Sequence, residues 1–116
     1  MRYVLLIYQN EADHAKWSQE QLAAEYQGYN VFTEEVTKSG AFQSGDPFMP
    51  TNTATTVRVR NGKTLTTDGP FAETKEQLGG FYLVNCKDID DAIALAAKIP
   101  AAADGSIEVR PVMEFE

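Results

Sequence analysis

Arg2-Tyr3-Val4-Leu5-Leu6-Ile7-Tyr8, close to the start of the chain, and Phe81-Tyr82-Leu83-Val84-Asn85-Cys86, towards its end, are the two stretches from which the architecture can be read. Each is a continuous apolar run of strand length. A strand with one wet face alternates apolar and polar residues, whereas these carry apolar residues at both parities, as a central strand covered on both faces does.

Between and around these runs the remaining elements follow. Gln9 to Trp17 is a polar connection. Ser18 can cap a helix, with Gln21 three residues on as the second half of a capping box, and Leu22, Tyr26, Tyr29, Phe32 and Val36 recur at helical spacing on one face. Gly40 closes that helix in the left-handed region, and Gly28 inside it, which costs about 1 kcal/mol relative to Ala, signals close packing by another element. Ala41 to Phe48 reads as a strand interrupted at Gly45-Asp46-Pro47. Thr55-Thr56-Val57-Arg58-Val59-Arg60 alternates, Asn61-Gly62 is a strong hairpin turn, and Lys63 to Thr67 is the returning arm. Asp68-Gly69-Pro70-Phe71 must turn, and the polar segment Ala72 to Leu78 has room for a short helical turn. Asp88 caps a second helix carrying Ile89, Ala92, Ile93, Ala96 and Ile99, which stops at Pro100. Ile107, Val109, Met113 and Phe115 alternate with Glu108, Arg110 and Glu114 in a last strand, where Pro111 marks a sheet edge or a bulge.

The order β-α-β-β-α-β with a hairpin elaboration predicts an α+β, ferredoxin-like antiparallel sheet with its first and third core strands at the centre. Two helices cover one face of such a sheet, and the other needs a cover too. Exposing Val4, Leu6, Tyr8, Tyr82 and Val84 would forfeit roughly 8 to 15 kcal/mol of burial, as much as a whole domain's stability. No other segment is long and apolar enough to lie across that face, so sheet-to-sheet pairing of two copies is expected, a homodimer about a two-fold axis.

Length and charge narrow the function classes. The 116 residues suit one domain spanning 1–116, and 43% hydrophobic residues suffice for a core. Seventeen carboxylates against ten Lys and Arg give a net charge of −7, which repels nucleic-acid phosphates and anionic lipid. Neither nucleic acid nor membrane is expected as a partner, and a cytoplasmic location is. Cys86 and His14 are each the sole residue of their kind, so a disulfide, a CxxC zinc site and any metal site built from His and Cys are excluded within one chain, and no cofactor is expected.

The densest polar cluster is Asp68-Gly69-Pro70-Phe71-Ala72-Glu73-Thr74-Lys75-Glu76, ahead of Gly79-Gly80. Asp68 as a base, assisted by Glu73 or Lys75 and with Glu76 facing the same pocket, would suit proton transfer on a small organic molecule. Partial burial raises one carboxyl while the lysine holds another ionised. The plainer reading is turn chemistry, with Asp-Gly-Pro bonding its own backbone and the acids solvated. Arg58 and Arg60 share one strand face, where they would clamp an anionic ligand or form cross-strand ion pairs with Glu108 or Glu114. Tyr26 and Tyr29 either point phenols into a pocket or belong to the core stripe, and Tyr26 is taken as a ligand contact. His14 reads as a solvent-facing loop residue rather than a general base, and Cys86 as an inert buried thiol.

The segments Arg2 to Tyr8, Thr53 to Arg60, Thr67 to Phe81 and Ile107 to Val112 together resemble the YCII-related proteins, specifically the subgroup with a DGPF motif, here Asp68-Gly69-Pro70-Phe71. The resemblance implies a ferredoxin-like subunit that forms a dimeric α+β barrel, and a pocket role for Asp68. Some relatives are encoded beside alternative sigma factors, which sets a non-catalytic ligand-binding or regulatory module in stress or sigma-factor signalling beside the small-molecule enzyme as a second reading. A dimeric interaction domain is the third. Other members carry a proposed His and Asp pair with the His in the first helix. Ser18 to Gly40 contains no histidine, so that pair does not transfer.

Overall fold

A computed structural model describes residues 1–115. In chain order the strands are β1 (Arg2–Gln9), β2 (Phe42–Pro47), β3 (Thr55–Arg60), β4 (Lys63–Asp68), β5 (Gln77–Asn85) and β6 (Ser106–Pro111), and the helices are α1 (Glu11–His14), α2 (Gln19–Lys38) and α3 (Ile89–Ala96). Four strands form an antiparallel sheet in the order β2-β5-β1-β6, so the two continuous apolar runs do lie at its centre. The arrangement is consistent with a ferredoxin-like α+β fold. Strands β3 and β4 form a separate two-stranded sheet, turned by Asn61 and Gly62, whose φ of 52° and 74° are the left-handed values that this turn requires.

Local chemistry sets the helix ends. Ser18 Oγ accepts from the Gln21 N–H at 3.1 Å while Gln21 Oε1 accepts from the Ser18 N–H at 2.8 Å, closing the capping box. The helix passes into Gly40 at φ 83°. Asp88 accepts from the Asp91 N–H at 3.0 Å and starts α3, which ends at Ala96 rather than running on to Pro100. Pro100 instead opens a 3-10 turn over Pro100–Ala103, a position its missing N–H suits. This turn explains Gly28, because a Cβ there would lie 2.9 Å from Pro100 Cγ.

Tyr3, Leu5 and Ile7 of β1 and Tyr82 and Val84 of β5 pack beneath Phe32 and Val36 of α2, Ala92 and Ala96 of α3, Ile99 and Ala101. Alternation then puts Val4, Leu6 and Tyr8 on the opposite face, and the register sets Leu83 across from Val4 and Phe81 across from Leu6. The expectation that Tyr82 and Val84 belong to the uncovered face is thus corrected, since Phe81 and Leu83 stand there. On that face Glu108 and Arg110, ion-paired with each other, flank Leu6 and Val4 from β6. The molecule measures 47 × 47 × 18 Å, and 18 Å accommodates one sheet and one layer of helices.

Three further expectations are revised. The Gln9 to Trp17 connection contains α1, opened by Asn10, whose side chain accepts from the Asp13 N–H. Residues 72–76 hold no helical turn. The last strand stops at Pro111, leaving Met113 and Phe115 exposed beyond it.

Leu5 is fully buried, so Leu5→Ala is expected to lower unfolding free energy by about 2–5 kcal/mol. Ser18→Ala, which deletes the cap acceptor, is expected to cost about 1 kcal/mol. Urea titration followed by circular dichroism measures both, and equal losses from the two variants would contradict this account.

Candidate functional site

A cavity of about 710 Å³ opens where α2 lifts away from the end of the sheet. The lift is visible along the helix, since Phe32 and Val36 are buried, Tyr29 is half-buried, and Leu22 and Tyr26 towards the N-terminus are exposed. Tyr26, Tyr29 and Thr33 form one wall, Phe42 and the segment Gly45 to Pro50 another, and Ile7, Phe81 and Tyr82 come from the sheet. Such a size and a largely apolar, aromatic lining suit a small organic molecule. Phe81 lies against Phe48 with ring centroids 6.0 Å apart, and Tyr82 meets Phe32 edge-on at 4.9 Å while its hydroxyl is 2.9 Å from Thr33 Oγ1.

The polar end is built from the last residue of β1 and the first of β5. Gln9 and Gln77 face each other across the β1–β5 ladder. The Gln9 side-chain amide donates to Glu25 Oε2 at 2.9 Å and to Asp104 Oδ2 at 3.0 Å. Gln77 Oε1 accepts from the Glu11 N–H at 2.8 Å and so fixes the start of α1, at whose end His14 sits. His14 Nε2 lies 2.8 Å from Glu25 Oε1, with side-chain exposures of 31% and 14%, and its ring packs on Trp17 at 4.6 Å. Both oxygens of Glu25 are therefore held, one by Gln9 and one by His14. Glu11 in turn accepts from the N–H and hydroxyl of Thr51, tying α1 to the loop that roofs the cavity.

Tyr29 completes the wall beside Glu25. Burial pushes its phenol well above the ordinary value of 10.0, and the neighbouring Glu25 carboxylate and Tyr82 add to the shift. The phenol is a neutral donor at any physiological pH. Burial likewise raises the Cys86 thiol, with Asp91 adding to the effect, as befits a thiol kept out of the chemistry.

The residues singled out from sequence divide. Tyr26 lines the cavity, as does Tyr29. Asp68, Glu73, Lys75, Glu76, Arg58 and Arg60 lie outside its wall. Asp68 ends β4 at the root of the hairpin, Glu73 and Lys75 are exposed, and Glu76 accepts from the Ser106 hydroxyl at 2.7 Å. Arg58 and Arg60 do not pair with Glu108 or Glu114, which are taken by Arg110 and Arg2. The stretch from Asp68 to Phe81 therefore serves two places. Its head forms the hairpin root, while its tail supplies Gln77, Gly79, Gly80 and Phe81 to the cavity and the Lys75 carbonyl to Asn10.

His14 is the residue that sequence reading passed over. Far from facing solvent in a loop, it closes a helical turn against Glu25. The available signal was the polar stripe Glu25, Tyr29 and Thr33, spaced by one turn beside the core stripe of α2. Among the described residues no three His, Cys, Asp or Glu side chains converge as metal ligands, and no helix is long and apolar enough to cross a membrane.

A family model described as the YCII-related domain matches residues 1–116. A Rhizobium meliloti protein described only as uncharacterised is 37% identical over 118 residues, spanning 100% of this chain and 95% of the relative.

The folded chain holds the Tyr29 proton more tightly than the unfolded chain does. Its contribution to stability is therefore complete below about pH 10 and is lost as pH rises above that value. Absorbance titration at 295 nm is expected to show a late-ionising tyrosine that Tyr29→Phe removes. A Tyr29→Phe difference titration centred near pH 10 in native protein would overturn the assignment.

Proposed function

The chain belongs to the YCII-related family, and from that premise we propose a small-molecule protein that moves a proton within the α2 cavity, with His14 as the exchanging group and Glu25 as its anchor. The observation that carries this is the His14–Glu25 contact of 2.8 Å at the wall of an aromatic-lined cavity of about 710 Å³. With Nε2 committed to Glu25, Nδ1 is the ring nitrogen left to address a ligand. A carboxylate so placed fixes the orientation of the ring, the arrangement general acid–base catalysis uses. The role passes to this pair from Asp68, Glu73 and Lys75, which lie outside the cavity wall.

Charge and lining indicate the ligand. Glu11, Glu25 and Asp46 border the cavity with His14 as the one basic side chain, so an anionic ligand would meet a negative field. A neutral, mostly apolar molecule with one acidic C–H or O–H group fits better. Tyr29, a cavity-lining phenol whose hydroxyl lies at the Ala101 backbone, would donate to a developing oxyanion while His14 takes the proton.

The working form in this reading is a homodimer paired through the uncovered sheet face. Phe81, Leu83, Val4, Leu6 and Tyr8 run as an apolar band along the two central strands, with Glu108 and Arg110 along one edge. An apolar centre with a charged rim is the anatomy of a pairing surface.

Thermal-shift screening of neutral metabolites, followed by turnover assays on the hits, tests the chemistry. His14→Gln and Glu25→Gln are each expected to lower kcat by roughly 10²- to 10⁴-fold, and Asp68→Asn to leave it unchanged. Saturable binding without turnover in the wild type would replace the enzyme with a binding module. Leu6→Lys is expected to convert a micromolar dimer into a monomer in sedimentation velocity, and a monomeric wild type would remove the pairing.

A further inference from the structure

The hairpin of β3 and β4 belongs neither to the central sheet nor to the cavity wall. It stands off the body. The Cα radius of gyration is 16.1 Å, where a compact chain of this length has about 13 Å. Its root is fixed by Gly69 N–H donating to the Ala54 carbonyl at 2.7 Å and by the Thr56 hydroxyl donating to the Gly69 carbonyl at 2.9 Å, so it is a held arm and not a loose loop.

Its surfaces are unlike the rest of the molecule. Val57 and Val59 point to one side, across from Thr66 and Thr64, and are 60% and 59% exposed. Leu65 is also exposed, as is every residue of β4. An isolated two-stranded hairpin is marginal in water, and this one presents valines with no cover in its own chain. Arg58, Arg60 and Lys63 stand together on the other side with Leu65, and the hairpin's single carboxylate, Asp68, pairs with Thr55 on the valine side. Residues 55–68 thus carry a net +2, which leaves −9 on the remainder of a chain whose total is −7. Among the described residues none of these three cations has a carboxylate within ion-pair distance.

We propose that this hairpin is a docking arm that seats its valine face on the body of a second copy of the chain, with its cations in that copy's negative field. The sign of the charge selects the occupant. A basic arm on an acidic body is self-complementary between two copies, and a two-fold axis lets each arm dock on the other's body. A nucleic acid would use the cations but leave Val57 and Val59 wet, and the body at −9 would repel it. The arm contact uses different residues from the sheet face and does not rest on the cavity chemistry.

Zero-length carbodiimide cross-linking of an equal mixture of ¹⁵N-labelled and unlabelled full-length protein tests this directly. Lys63 is expected to join carboxylates of the body in peptide pairs with one light and one heavy member, and 0.5 M NaCl to suppress them. The double variants Arg58→Glu with Arg60→Glu, and Val57→Thr with Val59→Thr, the second preserving β-branching, are each expected to raise the dissociation constant of the pair about tenfold or more. Only same-label products at Lys63, or self-association equal to wild type in both variants, would overturn the proposal. So would wild-type binding to a 20-base-pair duplex that the Arg variants abolish while leaving self-association untouched. Loss of pairing in Leu6→Lys with none in the arm variants would leave the sheet contact and remove the arm, and the reverse pattern would do the opposite.

Discussion

The β1–β5 ladder is the pairing on which everything else in this molecule depends. One of its faces supplies Tyr3, Leu5, Ile7, Tyr82 and Val84 to the core beneath α2 and α3. The other supplies the apolar band of Val4, Leu6, Phe81 and Leu83. Where the ladder ends, its last pair, Gln9 and Gln77, becomes the polar frame of the cavity. Gln9 grips Glu25 and Gln77 grips the start of α1, so the distance between Glu25 and His14 is set from two adjacent strand ends. The register shifts between Ile7 and Tyr8, immediately before this frame. A slip of one residue in the ladder would exchange the two faces and break the frame together.

Much of the fold was legible because it rests on local rules. Two unalternating apolar runs meant central strands, Ser18 with Gln21 meant a capped helix, and Asn61-Gly62 meant a hairpin. What stayed hidden was parity. A run such as Phe81-Tyr82-Leu83-Val84 is apolar on both sides, so the sequence holds no information on which side meets the helices, and Tyr82 and Val84 were placed on the wrong one. The partner strand decides it, by setting Val4 opposite Leu83. Pro100 illustrates the reverse case. Gly28 signalled a close neighbour correctly, but the neighbour lies 72 positions away, and only folding brings it there.

The site was less legible than the fold for the same reason. Charge density in sequence points to residues 68–76, because acids and a lysine crowd there, yet those side chains end up at the arm root and on the surface. The cavity instead draws a few residues each from β1, α1, α2, β2 and β5, none conspicuous by itself. His14 gains meaning only from Glu25, eleven positions on and across a chain reversal. Isolated polar residues at strand ends and on the flank of a helix stripe carry little periodic signal, and their convergence is a tertiary fact. Tyr26 was found because the helical stripe that suggested a core also runs past the point where the helix leaves the sheet.

Phe81 connects the two halves of this picture. It stands across from Leu6 in the apolar band on the uncovered face, and it also lines the cavity, packed against Phe48. A sheet one layer of helices thick has little depth in which to separate a ligand wall from an outer surface, and at the β2 edge Phe81 belongs to both. A pair formed over the band would restrict that ring, and a ligand in the cavity would restrict it from the other side. Two binding events that bias the same side chain are linked, and the linkage is reciprocal by thermodynamic necessity. In the paired form proposed above, the same thinness would make the cavity responsive to whether the second copy is present.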